Sequence, residues 1–264
     1  FTASGIKSLT ITGDSAVRIN PALGTSAATV DASESTGNIT LTMGVDDQTI
    51  TTGSGDDVID MAATLNKDDT IDLGEGDDTI RIDANGLSAG SYDLSISNVE
   101  TLRFDNMAGN SGAVQMDNLA VTNITIDGLN GASQTATAGV LTLTDIAASI
   151  ATFDFVGQGS DGAASDNVAF NGLTVDYDVS GTTDVGEVVI NVNNAGTTAD
   201  DMFIQKIDLD NVDAISVVAA DIGAAAADEL TITEIEGNDG AAGFTLTANG
   251  EVIISDLDIN LVES

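Results

Sequence analysis

The sequence predicts an all-β fold, a parallel β-solenoid with irregular loops and little helix. Three observations point there. Short runs alternate apolar residues with Thr, turn-forming residues bound almost every run, and one short phrase recurs after many of them. Alternation with period two puts one face of a strand inward and the other outward, and Thr, Val and Ile suit that pleated, half-buried setting.

Taken in chain order, the runs are Leu9-Thr10-Ile11-Thr12, Ile39-Thr40-Leu41-Thr42, Leu141-Thr142-Leu143-Thr144 and Leu230-Thr231-Ile232-Thr233. Phe244-Thr245-Leu246-Thr247 and Val252-Ile253-Ile254 follow the same plan. Gly, Asn, Asp and Ser between them supply the turns. The recurring phrase is an Asn, Asp or Glu, then a branched aliphatic residue, often then another acid. It reads Asn98-Val99-Glu100, Asp145-Ile146, Asn211-Val212-Asp213, Glu234-Ile235-Glu236 and Asp256-Leu257-Asp258. A unit repeated with variable loops is the mark of a solenoid. Uneven strand spacing keeps a β-sandwich open for the second half. The best helical candidates are the Ala-rich stretches Ala147 to Ala151 and Ala219 to Leu230.

Composition narrows the function. The 264 residues carry 43 acidic and 6 basic side chains, a formal charge of −37. Such a chain repels itself unless cations screen it, and it repels nucleic acid. A 42% hydrophobic content still allows a core, built in thin aliphatic layers because only 3% of residues are aromatic. With no Cys there are no disulfides and no thiolate metal sites, which fits export in an unfolded state. No run of about 18 apolar residues occurs, so no membrane insertion by a helix is expected. The numbering starts at Phe1 and is expected to cover a mature form or a fragment.

The stretch from Met43 to Arg81 carries the chemistry. Thr52-Gly53-Ser54-Gly55-Asp56-Asp57-Val58-Ile59-Asp60 fits the nonapeptide pattern Gly-Gly-x-Gly-x-Asp-x-apolar-x at every key position but the first. Leu73-Gly74-Glu75-Gly76-Asp77-Asp78-Thr79-Ile80-Arg81 fits equally well. Two degenerate units share the register: Met43 to Thr51, with Gln48 at the Asp position, and Thr64 to Asp72, with Leu65 and Lys67 replacing glycines. If two units make one coil of a β-roll, the second and fourth stack directly, Asp57 near Asp78. Glycine permits turn conformations that aim carbonyl oxygens at one point, and the sixth-position Asp adds a carboxylate. Two such turns offer hard oxygen ligands suited to Ca2+.

This segment resembles the calcium-binding nonapeptide repeats of RTX proteins, which leave the cell by type I secretion. Carried over, the resemblance makes Asp57 and Asp78 carboxylate ligands of Ca2+, with Gly53, Gly55, Gly74 and Gly76 shaping or supplying carbonyl ligands. Gln48 and Lys67 are poor substitutes, which weakens the case for a second site between the first and third units. The Thr-rich strands and Asn98-Val99-Glu100-Thr101-Leu102 look more loosely like bacterial surface-layer proteins and large RTX adhesins. Residues 1–105 are then a solenoid segment holding the roll at 43–81. Residues 106–264 continue it or form a separate β-rich domain.

Other acidic stretches are weaker candidates: Gly157 to Gly162, Glu236 to Gly240, Asp200-Asp201, and a ladder of Asp208, Asp210 and Asp213. No enzyme is expected. The chain has no His and no Cys, a Ser nucleophile lacks its usual base, and sugar sites usually present aromatic platforms scarce here. Thr-x-Thr faces can bind ice when ranks stack regularly, and the uneven spacing argues against that. The expected function is a secreted, calcium-gated structural protein assembling at the cell surface as a surface layer, filament or adhesin. Its expected partners are copies of itself and cell-surface glycan. The alternative is a non-catalytic accessory module of a secreted enzyme.

Overall fold

A computed structural model of the chain describes residues 6–23, 28–44, 47–61, 64–83, 91–105, 113–115, 121–127, 129–130, 140–157, 168–170, 172–177, 185–194, 202–221, 229–238 and 243–259. These residues form a parallel β-solenoid without helix. Within them no helix is long and apolar enough to cross a membrane.

Three sheets wrap the core. The first joins Ser8–Gly13, Ala28–Ser35, Gln48–Thr51, Thr70–Asp72 and Ser95–Ser97. A long sheet takes the strand that follows each of these, from Val17–Leu23 through Val58–Asp60, Thr79–Asp83 and Thr101–Asp105 to Gly243–Ala248. The third sheet starts with Ser91–Asp93 and Ala113–Gln115, takes over as partner of the long one, and ends at Glu251–Ile259. Pairing is parallel throughout except between Leu129–Asn130 and Val168–Phe170. The long sheet crosses residue 105 without a break, because Thr101–Asp105 pairs in register with Asn123–Asp127.

Register explains why a chain of short aliphatic runs makes one core. Ile19, Leu41, Ile59, Ile80, Leu102, Ile124, Phe153, Ile190, Val217 and Leu246 face one another in succession along the long sheet. All are buried except the two at the ends. A one-residue slip would send the whole column to solvent, so the pattern itself holds the register. The first sheet repeats the scheme with Leu9, Val30, Ile50, Ile71 and Ile96. On its outer face Ser8, Thr29, Thr49, Thr70 and Ser95 form one exposed hydroxyl column. Uneven loop lengths had argued against such ranks. The loops absorb the differences, and the strands stay aligned.

The recurring phrase also acquires a cause. Asn98, Asp145 and Asn211 have φ of 53°, 57° and 62°, in the left-handed region that Asn and Asp tolerate best after Gly. Each is followed by a buried aliphatic residue, Val99, Ile146 or Val212. In these three the phrase is therefore a corner, where one residue reverses the backbone and the next anchors it in the core, whereas Glu234-Ile235-Glu236 and Asp256-Leu257-Asp258 lie within the strands Glu229–Asn238 and Glu251–Ile259. Neither Ala-rich stretch is helical where described. Ala147 to Ile150 is a turn closed by the Ile150 amide on the Ala147 carbonyl (2.9 Å), and Ala219–Asp221 continues a strand. Alanine's helix propensity loses here to the pull of the stacked coils on either side.

Candidate metal centre

The two strong nonapeptides stack one above the other. Val58 pairs with Thr79, Ile59 with Ile80 and Asp60 with Arg81. Ile59 and Ile80 point into the core, which places Asp57 and Asp78 at successive levels of the corner entering the long sheet. There the Asp57 amide donates to Asp78 Oδ1 (2.7 Å). The same bond is made on either side: the Ile39 amide donates to Asp57 Oδ1 (2.6 Å), and the Asp78 amide to Glu100 Oε2 (2.8 Å). Asp57, Asp78 and Glu100 thus form a column, each capping the amide of the coil before. An outer ladder runs alongside, with the Asp56 amide on Asn38 Oδ1 and the Asp77 amide on Asp56 Oδ1, both 3.2 Å.

Glycine makes the close stacking feasible at two positions above all. Gly74 has φ +87° and Gly76 +150°, and a Cβ on them would collide with the carbonyls of Gly53 and Gly55 one coil below. The Gly53 carbonyl accepts the Glu75 amide at 2.7 Å. A Cβ on Gly76 would also lie 3.1 Å from Asp78 Oδ1, so the Gly55 carbonyl and the Asp78 carboxylate share one corner. A Cβ on Gly53 or Gly55 would likewise meet backbone of the preceding coil, at Ser35 and Gly37.

The electrostatics of this corner are unusual. Asp57 and Asp78 are both 0% exposed, and Oδ2 of each is buried without a hydrogen-bond partner. Burial pushes both carboxyls above the usual range, Asp78 to about 7. The charges acting on Asp78 are those of Asp57, Glu100 and Asp56, all negative. For Asp57 the Thr52 hydroxyl and the Ile39 amide offset part of the burial, although the Thr52 hydroxyl itself donates to the Leu73 carbonyl (2.6 Å). Buried charges are ordinarily paired or bound to metal. These are not paired.

The opposite corner is the informative contrast. There Gln48 and Asp69 of the degenerate units stack, and the Gln48 amide donates to Asp69 Oδ1 at 2.7 Å. Asp69 Oδ2 accepts the Asn66 amide at 2.8 Å. Both oxygens are occupied by the protein's own donors, and the next coil offers Leu94 rather than a second acid. The Asp69 carboxylate has no oxygen left without a hydrogen-bond partner. The column of Asp57 and Asp78 leaves one oxygen of each acid over.

The residues therefore fit Ca2+, which prefers several oxygen ligands in adaptable geometry. Among the described residues no three acidic side chains converge on one point. A cation here would take one carboxylate from each of two adjacent coils and fill its shell with main-chain carbonyls of the glycine turns. That would be the set expected from the sequence: Gly53, Gly55, Asp57, Gly74, Gly76 and Asp78.

The remaining acidic candidates separate. Asp208 and Asp210 project from Met202–Asp210 of the third sheet, whereas the exposed Asp213 belongs to Val212–Asp221 of the long sheet, so the three do not form one ladder. Lys206 sits among Asp208 (3.4 Å), Glu234 (3.4 Å) and Glu236 (2.6 Å), an ion-pair cluster holding adjacent coils. Residues 158–162, 200–201 and 239–240 lie outside the described residues. Glu100 is the member that the nonapeptide pattern overlooked. Its signal was present in Glu100-Thr101-Leu102, which repeats Asp78-Thr79-Ile80 without the glycines. No protein-family model, curated protein or solved structure matches the chain.

Proposed function

We propose that this chain is a calcium-binding structural protein that folds and assembles outside the cell, as part of a surface layer, extracellular filament or adhesin. The observation that carries the reading is the buried column of Asp57 and Asp78, each with one oxygen that has no hydrogen-bond partner, and with negative charges acting on both. At low calcium this column opposes folding, and the net charge of −37 opposes compaction and contact between copies. Calcium binding to the folded state alone shifts the equilibrium toward it by mass action. A chain held unfolded inside and folded by calcium outside suits secretion.

Assembly has a physical basis in the sheets. Ser8–Gly13 and Val17–Leu23 form one edge of the described sheets, Gly243–Ala248 and Glu251–Ile259 the other. At the second edge Leu246, Ile253 and Leu257 are the large apolar side chains left exposed, at 42%, 39% and 45%. Open parallel edges pair readily with further strands, including those of another copy. Cell-surface glycan is the other proposed partner.

Circular dichroism and calorimetric titration test the calcium reading. In chelator the β-signal should fall and the thermal midpoint drop; with Ca2+ both should recover, with heat of binding. An unchanged spectrum and no binding would overturn it. Electron microscopy with added Ca2+ tests assembly: ordered sheets or filaments support the surface role. A monodisperse solution at high concentration favours a non-catalytic accessory module of a secreted enzyme.

A further inference from the structure

We infer that Glu100 is a metal ligand, and that the corner column holds two cations, one between Asp57 and Asp78 and one between Asp78 and Glu100. This rests on the calcium reading above and extends it beyond the nonapeptide motif.

Three observations carry it. First, the column has defined ends. Register places Ile39 below Asp57 and Thr122 above Glu100, so acids face each other across two gaps and no others. Second, the two gaps are built alike. Asp78 Oδ1 caps the Asp57 amide at 2.7 Å, and Glu100 Oε2 caps the Asp78 amide at 2.8 Å. Asn98 takes the level of Gly76 in the next coil, so a turn residue of positive φ stands at both levels, although at different values, 53° against 150°. Third, the two fully buried acids of the column each keep a carboxylate oxygen without a hydrogen-bond partner: Oδ2 of Asp57 and Oδ2 of Asp78. One cation could engage both, but Glu100 adds its negative charge to Asp78 from the far side. A single ion between Asp57 and Asp78 leaves that repulsion unanswered, whereas a second ion turns it into coordination.

The position matters for the fold. Glu100 follows the last strand of the first sheet, Ser95–Ser97, and precedes Thr101–Asp105 of the long sheet. A cation on Glu100 therefore clamps the coil at which the third sheet replaces the first. With Asp78 shared, the two ions bind cooperatively, because the first orders the carboxylate that the second needs.

Counting bound Ca2+ by titration calorimetry and by native mass spectrometry tests this. Relative to the unaltered chain, Glu100→Gln should bind one ion fewer and Asp57→Asn one fewer, while Asp78→Asn should bind two fewer. Each amide keeps an acceptor for the amide it caps, so a lost ion is not a lost corner. Should Glu100→Gln fail to fold, Asp57→Asn still decides the matter through the one ion it retains in the column, detached by a further Asp78→Asn. A Glu100→Gln chain that binds as many ions as the unaltered one, or an Asp57→Asn chain from which Asp78→Asn removes none, would overturn the inference while leaving the Asp57–Asp78 site standing. No calcium bound to the unaltered chain would overturn both.

Discussion

Asp78 shows how a single residue can be a liability in one state and an asset in another. It is fully buried, its Oδ1 holds the amide of Asp57, and its Oδ2 holds nothing. An amide in its place keeps the first bond and removes the charge. In chelator at pH 8, Asp78→Asn should therefore raise stability, by about 1–3 kcal/mol if the unsatisfied charged oxygen costs what such groups usually do. With Ca2+ the same change should lower it, since the ion loses its shared ligand. Urea midpoints in the two conditions check the crossing. A purely structural aspartate would shift both midpoints the same way.

At the scale of the element, the corners decide more than the strands. Any β-branched residue could occupy most strand positions, but few can take the φ of 62° at Asn211. Asn211→Ala is expected to cost about 1–2 kcal/mol, and Asn211→Gly close to nothing. The difference in urea midpoint between the two variants measures the conformational part alone. Corners also explain why one phrase has two fates. Glu100 and Asp213 occupy equivalent places after Asn-Val, yet Glu100 stacks on Asp78 while Asp213 is exposed and faces Gly186. The hydroxyl column on the first sheet is similarly a product of stacking, and its neighbouring column is interrupted by Asp31 and Asp72.

For the whole molecule, acidity sets the conditions under which the fold holds. Burial raises the carboxyls of Asp57, Asp69, Asp78 and Asp208 above their ordinary values, and Asp127 as well despite its 2.6 Å pairing with Arg103. A group that holds its proton more tightly when folded contributes stability below its unfolded pKa and loses it as pH rises through the folded value. In chelator, stability should accordingly fall as pH climbs from about 4, with the loss from Asp78 complete only above about 7. Thermal midpoints across that range check the slope. Ca2+ should flatten it by stabilising the ionised column. Salt alone should relieve the long-range repulsion but not the buried one, because screening acts weakly on groups out of water.

The amino-acid sequence by itself determined the strand content, the core and the likeness of its two best motifs. Period-two alternation of aliphatic residues and Thr is enough for that, since it depends on neighbours along the chain. It also made Asp57 and Asp78 legible, because their glycines constrain the backbone locally and leave a recognisable spacing. Beyond that stacked pair, only the tertiary structure decided which coil lies on which. Glu100 joins the column, Asp69 is satisfied by the amides of Gln48 and Asn66, and Asp213 is left in solvent. Loops of unequal length hide those relations from any count of residues. Inter-strand hydrogen bonding and burial of the aliphatic columns restore the register, and with it the meeting of charges on which the proposed calcium sites depend.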